Sequence, residues 1–164
     1  MIRPERPGDE NAIRAVETAA FGRDDEAKIV DDLRAGGEYI PELSLVVEEQ
    51  GAIVGHVMLS RCYVEPSGDL TLLLGPIGVV PERQGKGVGS ALVEAALAGA
   101  RYLGVRCVVL IGSPAYYERF GFVQAEPLGL VPPEGWPASA FQVAVLESEA
   151  PLPQGRVVCS AAFG

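Results

Sequence analysis

Histidine is nearly absent from this chain and cysteine is scarce, which argues against several kinds of site. The one histidine, His56, disfavours a zinc centre built on imidazoles and a Ser-His catalytic triad. The three cysteines, Cys62, Cys107 and Cys159, are odd in number and lie in apolar, strand-like segments. They are therefore predicted to be buried thiols rather than a disulfide framework, and no metal is expected.

Basic residues are also few, with 13 Lys and Arg against 22 Asp and Glu and a net charge of −9. This balance argues against nucleic acid as a partner, because neutralising phosphates requires Lys and Arg. A negative field would concentrate a cationic substrate, although the same acidity also favours solubility.

No apolar run is long enough to cross a membrane, because Arg101 and Arg106 interrupt the most apolar region. The first five residues lack the apolar core of a signal peptide. We therefore expect a cytoplasmic protein that makes no membrane contact.

The length of 164 residues predicts a single domain over residues 1–164 with a sizeable core. The apolar pattern predicts helices at 9–21, 24–35 and 87–103, and a short helix from Pro114. Strands are predicted at 2–6, 44–48, 53–63, 70–79 and 105–111, near Phe122, and at 141–146 and 156–160. Residues 127–137 are predicted to form a loop. Gly75-Pro76 interrupts one predicted strand, which indicates either a bulge or an edge-strand proline.

The most informative segment is glycine-rich and joins the strand ending near Val79 to the helix beginning near Gly87. Its residues 77–90 read Ile-Gly-Val-Val-Pro-Glu-Arg-Gln-Gly-Lys-Gly-Val-Gly-Ser. Glycines at alternate positions leave backbone N–H groups uncovered, and a helix N-terminus adds further N–H groups and a partial positive charge. Together they predict a site for phosphate oxygens, the alternative being an ordinary strand-to-helix turn.

Two common glycine loops do not fit this segment. A P-loop requires a glycine at position 80 and a hydroxyl residue after Lys86, where the chain has Val80 and Gly87. A dinucleotide fingerprint requires G-x-G-x-x-G and an acidic residue closing the next strand. From Gly85 the spacing is G-x-G-x-G, and the strand at 105–111 ends in glycine and serine.

The segment instead resembles the Q/R-x-x-G-x-G/A loop of the GNAT N-acetyltransferases, matched by residues 84–89. Residues 115–122, Ala-Tyr-Tyr-Glu-Arg-Phe-Gly-Phe, resemble that family's A-x-Y-E-x-x-G-F segment, in the same order and at a similar separation. The resemblance covers about residues 2–147 and is closest to a small YhbS-like subgroup of predicted acetyltransferases. It implies an α/β (α+β) fold with a mixed central sheet of about six to seven strands and about four helices. The fourth and fifth strands would splay apart to admit the pantetheine of acetyl-CoA.

The resemblance also implies roles for individual residues. The loop would hold the pyrophosphate, with Lys86 as a charge partner or a solvated side chain. Backbone groups of Ile77 and Val79 would pair with pantetheine, and the Val79 N–H would point at the thioester oxygen. The expected cofactor-binding residues are Ile77, Gly78, Val79, Gln84, Gly85, Lys86, Gly87, Val88, Gly89, Ser90 and Ser113. Ser113 stands where many relatives carry a cofactor-contacting asparagine, which puts a side-chain contact there in doubt.

Tyr117 matches the tyrosine that serves many of these enzymes as general acid, with Tyr116 as the rival and a core tyrosine as the structural alternative. The general base is open, because leucines occupy positions 72–74, where some members place a glutamate. Candidates are Asp24, Asp25, Glu26 and His56, or a water chain without a side-chain base.

The expected activity is acetyl transfer from acetyl-CoA to a primary amine by direct attack through a tetrahedral intermediate. The acceptor would be a small molecule or a protein amino group, with a cationic amine favoured by the net charge. The alternative is a non-catalytic acyl-CoA-binding regulatory module, and a third hypothesis is transfer to a hydroxyl. A monomer or a homodimer is expected.

Overall fold

The structure, a computed structural model, describes residues 1–164 as nine strands and four α-helices joined by turns and 3-10 segments. The helices are α1 (Glu10–Phe21), α2 (Asp25–Gly36), α3 (Val88–Tyr102) and α4 (Pro114–Tyr117). The strands are β1 (Ile2–Pro4), β2 (Tyr39–Glu49), β3 (Ala52–Glu65), β4 (Asp69–Val79), β5 (Cys107–Ile111), β6 (Phe122–Gln124), β7 (Leu130–Val131), β8 (Phe141–Val145) and β9 (Gly155–Val158). None of the helices has the length and apolar character needed to span a bilayer.

The chain forms two compact units. The first comprises residues 1–60, 74–99 and 162–164, and the second comprises residues 61–73 and 100–161. The division passes through β3, β4 and α3, each of which contributes residues to both. The single domain expected over residues 1–164 stays a prediction.

In the first unit, α1 and α2 cover antiparallel strands. β1 pairs with β2, and β2 pairs with β3 through the turn at Gln50 and Gly51. A buried cluster joins the helices to these strands, and its members are Ile13, Val30, Leu33, Val46 and Met58. The helix positions recur at helical spacing and the strand positions lie on one face, so the sequence pattern accounts for this core.

Asp9 precedes α1 as predicted, but its side chain does not cap the helix. Its carboxylate instead accepts hydrogen bonds from Arg3 Nη1 at 2.7 Å and from the Arg6 N–H at 2.7 Å. An arginine fork is a stronger partner for a carboxylate than a helix N–H, and the Arg3 interaction holds the pKa of Asp9 below its ordinary value. Asp9 therefore ties the start of α1 to β1.

In the second unit, β5 lies between β4 and β8. It is parallel to β4 and antiparallel to β8, which also pairs with β6. Four consecutive β5 residues, Cys107–Leu110, are at most 1 % exposed, as the continuous apolar run predicts for a strand covered on both faces. The two-residue strand β7 lies within the predicted 127–137 loop and pairs with β9. The prediction of a mixed sheet with four helices is confirmed.

The parallel pairing of β4 with β5 is short. It consists of Leu72 opposite Val108 and Leu73 opposite Val109, and it ends before Gly75. Gly75 has φ of +142°, a conformation that side chains rarely adopt. The parallel pairing therefore ends just before the Gly75-Pro76 interruption, and the bulge there stays a prediction.

The prediction of three free thiols is wrong for two of them. Cys62 and Cys159 form a disulfide across 97 residues of sequence, and only Cys107 is free and buried. The register of β3 with β9 pairs Tyr63 with Val158, which places the two cysteines opposite each other with their Cα atoms 4.5 Å apart. This separation suits both a non-hydrogen-bonded antiparallel pair and a disulfide.

Candidate functional site

The glycine loop of the first unit is open above its backbone. β4 ends at Val79, a 3-10 turn follows, and α3 begins at Val88. Gly85 and Gly87 have φ of +74° and +88°, and a Cβ on either would meet no atom within 4 Å. The first N–H groups of a helix have no partner within it, so the loop and the start of α3 present donors to an anion. The predicted pyrophosphate residues therefore lie together with their backbone uncovered, and their binding of the pyrophosphate stays a prediction.

The loop is tied back to β4 through side chains. Gln84 Nε2 donates to the Val79 carbonyl at 2.9 Å, and the Lys86 ammonium donates to the Glu82 carbonyl at 3.2 Å. Gln84 thus fixes the loop to the residue whose N–H is expected to face the thioester. Lys86 is exposed, and its contact with a phosphate stays a prediction.

Close packing fixes the start of α3. A Cβ on Gly55 of β3 would lie 2.8 Å from Val88 Cγ1 and 3.1 Å from Leu92 Cδ1. Glycine at position 55 therefore allows α3 to approach the sheet, and the approach sets the position of the glycine loop relative to β3.

Ser113 and Tyr117 lie in the second unit, after β5. Ser113 is exposed and precedes α4, and its side chain makes no cap hydrogen bond. The Tyr117 ring packs edge-on against Phe122, with centroids 5.9 Å apart, and a Cβ on Gly112 would lie 2.7 Å from its Cε2. Burial, with a smaller contribution from Tyr116, raises the pKa of the Tyr117 phenol. The phenol therefore keeps its proton at neutral pH, as a general acid must.

The carboxylates considered as bases from sequence are poorly suited to the role. Arg23 donates to Glu26 at 2.9 Å, and this bond lowers the pKa of the Glu26 carboxyl. Asp24 and Asp25 are exposed at the start of α2. Leu72, Leu73 and Leu74 are buried, so β4 offers no carboxylate at these positions.

His56 is fully buried and belongs to a hydrogen-bonded chain that sequence reasoning missed. Its Nδ1 lies 2.6 Å from Oε2 of Glu17, which is also fully buried, and its Nε2 lies 3.1 Å from Ser44 Oγ. Glu17 lies four residues after Ile13 and next to Val16, so it belongs to the buried, apolar face of α1. The sequence signal for this buried network was a carboxylate at a helix position where the pattern predicts an apolar residue.

Burial raises the pKa of Glu17, and hydrogen bonding to His56 opposes the shift without reversing it. The folded protein therefore retains a proton that the unfolded chain releases at about pH 4.3, the ordinary pKa of a glutamate. Stability is full below that pH and falls as pH rises through the raised folded pKa. We expect wild type to lose stability relative to Glu17→Gln as pH rises above the ordinary pKa of a glutamate, measured by urea unfolding at a series of pH values. Equal slopes against pH in both proteins would contradict the raised pKa.

A cavity of about 480 Å³ also lies in the first unit, between α1 and the β2–β3 hairpin. Its walls include Ala12, Ala15 and Ala19 of α1, together with Arg3 and Val80. Arg3 is already paired with Asp9 and Glu48. Val80 is the one residue of the segment 77–90 among the lining residues, and residues 84–90, which are predicted to bind the pyrophosphate, do not line this cavity.

A short parallel β4–β5 pair, and a glycine loop opening the helix after β4, define the class of acyl-CoA-dependent acyltransferases of mixed α/β fold. The family described as "Acetyltransferase (GNAT) domain" matches residues 41–124. Two curated relatives come from Escherichia coli. The uncharacterized N-acetyltransferase YhbS is 34% identical over 92% of this chain and 89% of its own length. The uncharacterized N-acetyltransferase YjhQ is 38% identical over 70% of this chain, which spans 64% of that relative. The chain therefore belongs to the GNAT acetyltransferase family.

Two solved structures extend the comparison over nearly the whole chain. E. coli YhbS in complex with CoA matches with a TM-score of 0.92 and 33% identity, covering 99% of this chain and 91% of that one. A GNAT family acetyltransferase from Brucella melitensis in complex with acetyl-CoA matches with a TM-score of 0.84 and 37% identity, covering 100% and 97%. The GNAT fold predicted from sequence is confirmed.

Proposed function

We propose that this protein transfers the acetyl group of acetyl-CoA to a primary amine, of a small molecule or of a protein, by direct attack through a tetrahedral intermediate. The observation that carries the proposal is the open glycine loop at the start of α3, where Gly85 and Gly87 leave the backbone uncovered. The complexes of YhbS with CoA and of the Brucella relative with acetyl-CoA support this ligand.

Each predicted site residue has a role in this proposal. N–H groups of the loop, from Gln84 to Ser90, bind the pyrophosphate. Backbone groups of Ile77 and Val79, on either side of Gly78, pair with pantetheine, and the Val79 N–H stabilises charge on the thioester oxygen. Ser113 contributes at the cofactor through its backbone or hydroxyl, and Tyr117 returns a proton to the leaving sulfur.

Turnover is the test of this function. Purified protein is given acetyl-CoA with a panel of primary amines, and CoA release is followed with a thiol reagent, with acetylated product identified by mass. We expect amine-dependent CoA release for at least one amine. Tight acetyl-CoA binding without release for any amine or alcohol would instead support the non-catalytic acyl-CoA-binding module. Release with an alcohol alone would support transfer to a hydroxyl.

The acceptor class is proposed from charge. Three acidic residues of α2 are paired with basic residues, Glu26 with Arg23, Asp31 with Arg14, and Asp32 with Lys28. The net charge of −9 rather than α2 alone therefore supports a cationic acceptor, such as a polyamine, an aminoglycoside-like amine or a lysine side chain.

Ionic strength should reveal this attraction. We expect kcat/KM for a cationic amine to fall as ionic strength rises from about 0.01 M to about 0.3 M, because the Debye length shrinks from about 30 Å to below about 10 Å. A neutral amine of similar size, assayed in parallel, is the control and should show little change. If both profiles are flat, the acidity serves solubility alone.

A further inference from the structure

A buried chain of hydrogen bonds in the first unit includes none of the residues proposed to hold acetyl-CoA. It runs from Glu17 on α1 to His56 on β3 and then to Ser44 on β2, all three fully buried. Ser44 Oγ also donates to Glu5, whose carboxylate receives Arg34 Nε and Nη2 at 3.0 Å each. A buried carboxylate and imidazole are costly to retain, so their placement calls for a chemical reason.

The position of each proton in this hydrogen-bond network follows from the groups at its two ends. The Glu5 carboxylate already accepts two hydrogen bonds from Arg34, so it also serves as the acceptor toward Ser44, and Ser44 donates to it. Ser44 has a single hydrogen, and its oxygen is then free only to accept from His56 Nε2, which must carry a hydrogen. Between His56 Nδ1 and Glu17 Oε2, at 2.6 Å, one further proton is shared. The pair therefore exists as neutral carboxyl with neutral imidazole or as carboxylate with imidazolium.

The second carboxyl oxygen of Glu17 is the unusual atom. Oε1 is buried and has no hydrogen-bond partner. A Cβ on Gly78 would lie 2.5 Å from it, so this oxygen lies directly against β4 between Ile77 and Val79. These are the residues proposed to hold pantetheine and the thioester. An acceptor lone pair left unused at that position costs free energy, unless a substrate donor fills it.

We infer that Glu17 is the general base that takes a proton from the acceptor ammonium through Oε1, while His56, itself hydrogen-bonded to Ser44, holds Oε2. The inference rests on the proposed function. Oε1 accepts one proton from R–NH3⁺ while the shared proton resides on Nδ1, which leaves R–NH2 with its lone pair. That lone pair forms the new N–C bond, the C–S bond breaks, and the sulfur takes a proton from Tyr117. The amide nitrogen then loses its extra proton, which restores the phenol, and Glu17 returns its own proton to solvent.

The surroundings of Glu17 suit this role. Burial and the charge of Glu26 on α2 raise its pKa, while His56 on β3 lowers it. When Glu17 is protonated, the positive charge remains on His56, which Ser44 connects to the Glu5–Arg34 pair. A base whose proton affinity is raised in this way is better matched to an amine than an exposed carboxylate.

Glu17→Gln is the main test, because glutamine keeps the shape and removes the base. We expect kcat/KM for the amine to fall by about 100-fold to about 10,000-fold, with acetyl-CoA affinity unchanged and the acidic limb of the pH profile lost. Glu94→Gln is the matched control, since Glu94 is an exposed glutamate of α3, and it should leave activity unchanged. Circular dichroism and acetyl-CoA titration establish that each variant is folded.

Ser44→Ala provides a second variant that retains both Glu17 and His56. Removing the hydroxyl leaves the Nε2 hydrogen of His56 without its acceptor, which destabilises the imidazolium that accompanies protonated Glu17. The acidic limb should therefore move to lower pH, a shift that a merely structural role for Ser44 would not produce.

A third readout does not depend on activity, because the single histidine gives one imidazole spin system by NMR. We expect a hydrogen on Nε2 in both wild type and Glu17→Gln. A bare Nε2 would overturn the proton assignment.

The outcomes separate this inference from the proposed function. If wild type turns over an amine and Glu17→Gln does so equally, with the same pH profile, Glu17 is not the base and the transferase function stands. If wild type releases no CoA with any amine, both fall. A large loss in Glu17→Gln with intact acetyl-CoA binding supports both.

Discussion

Replacing Gly87 with glutamate should abolish acetyl-CoA binding. Gly87 has φ of +88°, and nothing lies within 4 Å of the position its Cβ would take. The new carboxylate would occupy the open space over the loop, where the pyrophosphate is proposed to lie. Two anions at one site repel, and the N–H groups would be covered. We expect affinity to fall by at least about 100-fold, or about 2.8 kcal/mol, in calorimetric titration.

Backbone strain must be separated from this charge effect. A side chain in the left-handed region costs about 1–2 kcal/mol wherever it stands. Gly104→Glu is the matched control, because Gly104 follows the other end of α3, has φ of +78° and is equally uncrowded. It should lower stability by a similar amount and leave acetyl-CoA affinity intact. Equal affinity in Gly87→Glu and wild type would remove the loop from the proposed site.

Local signals in the sequence predicted the helix and the strands that border this site. The helix expected from Gly87 begins at Val88, and the strand expected at 105–111 is β5 at Cys107–Ile111. Both depend on patterns within a few residues, namely a glycine run before helical spacing and a continuous apolar run. The end of the β4–β5 pairing near Gly75 was also predictable, because a proline cannot donate to a ladder.

The disulfide could not be predicted in the same way. Cys62 and Cys159 are 97 residues apart, and they meet only because β9 returns to pair with β3 in one register. A shift of one residue in that register would turn one sulfur to the opposite face of the sheet. Register between distant strands is decided by tertiary packing, which no local pattern records.

The proton network was missed for a related reason. Its members come from α1, β2 and β3 and from Glu5, which follows β1, and no two of the three buried groups, Glu17, Ser44 and His56, are adjacent in sequence. In the sequence, the acidic cluster that includes Asp24 and Asp25 is the more evident candidate for a base. The structure instead indicates the acidic residue at an apolar position. For buried chemistry, a charge that interrupts a hydrophobic face is the more useful sequence signal.

Replacing Tyr117 with phenylalanine should lower kcat by about 10-fold to about 1000-fold while acetyl-CoA affinity changes little. Phenylalanine keeps the ring, so the edge-on contact with Phe122 and the packing over Gly112 are retained. Only the phenol is lost, and its raised pKa keeps it protonated until the leaving sulfur needs a proton. Steady-state kinetics with a saturating amine, together with calorimetric titration of acetyl-CoA, measure the two quantities separately.

Tyr116→Phe distinguishes the two neighbouring tyrosines. The Tyr116 ring stands edge-on to Tyr117, with centroids 4.9 Å apart, and carries the Arg119 guanidinium over its face at 4.5 Å. Its phenol is not assigned a proton transfer, so this variant should keep kcat within about threefold of wild type, under 1 kcal/mol of barrier. A loss in Tyr116→Phe with none in Tyr117→Phe would transfer the acid role to Tyr116. An unchanged kcat in both variants would contradict proton donation by either tyrosine of the A-x-Y-E-x-x-G-F segment.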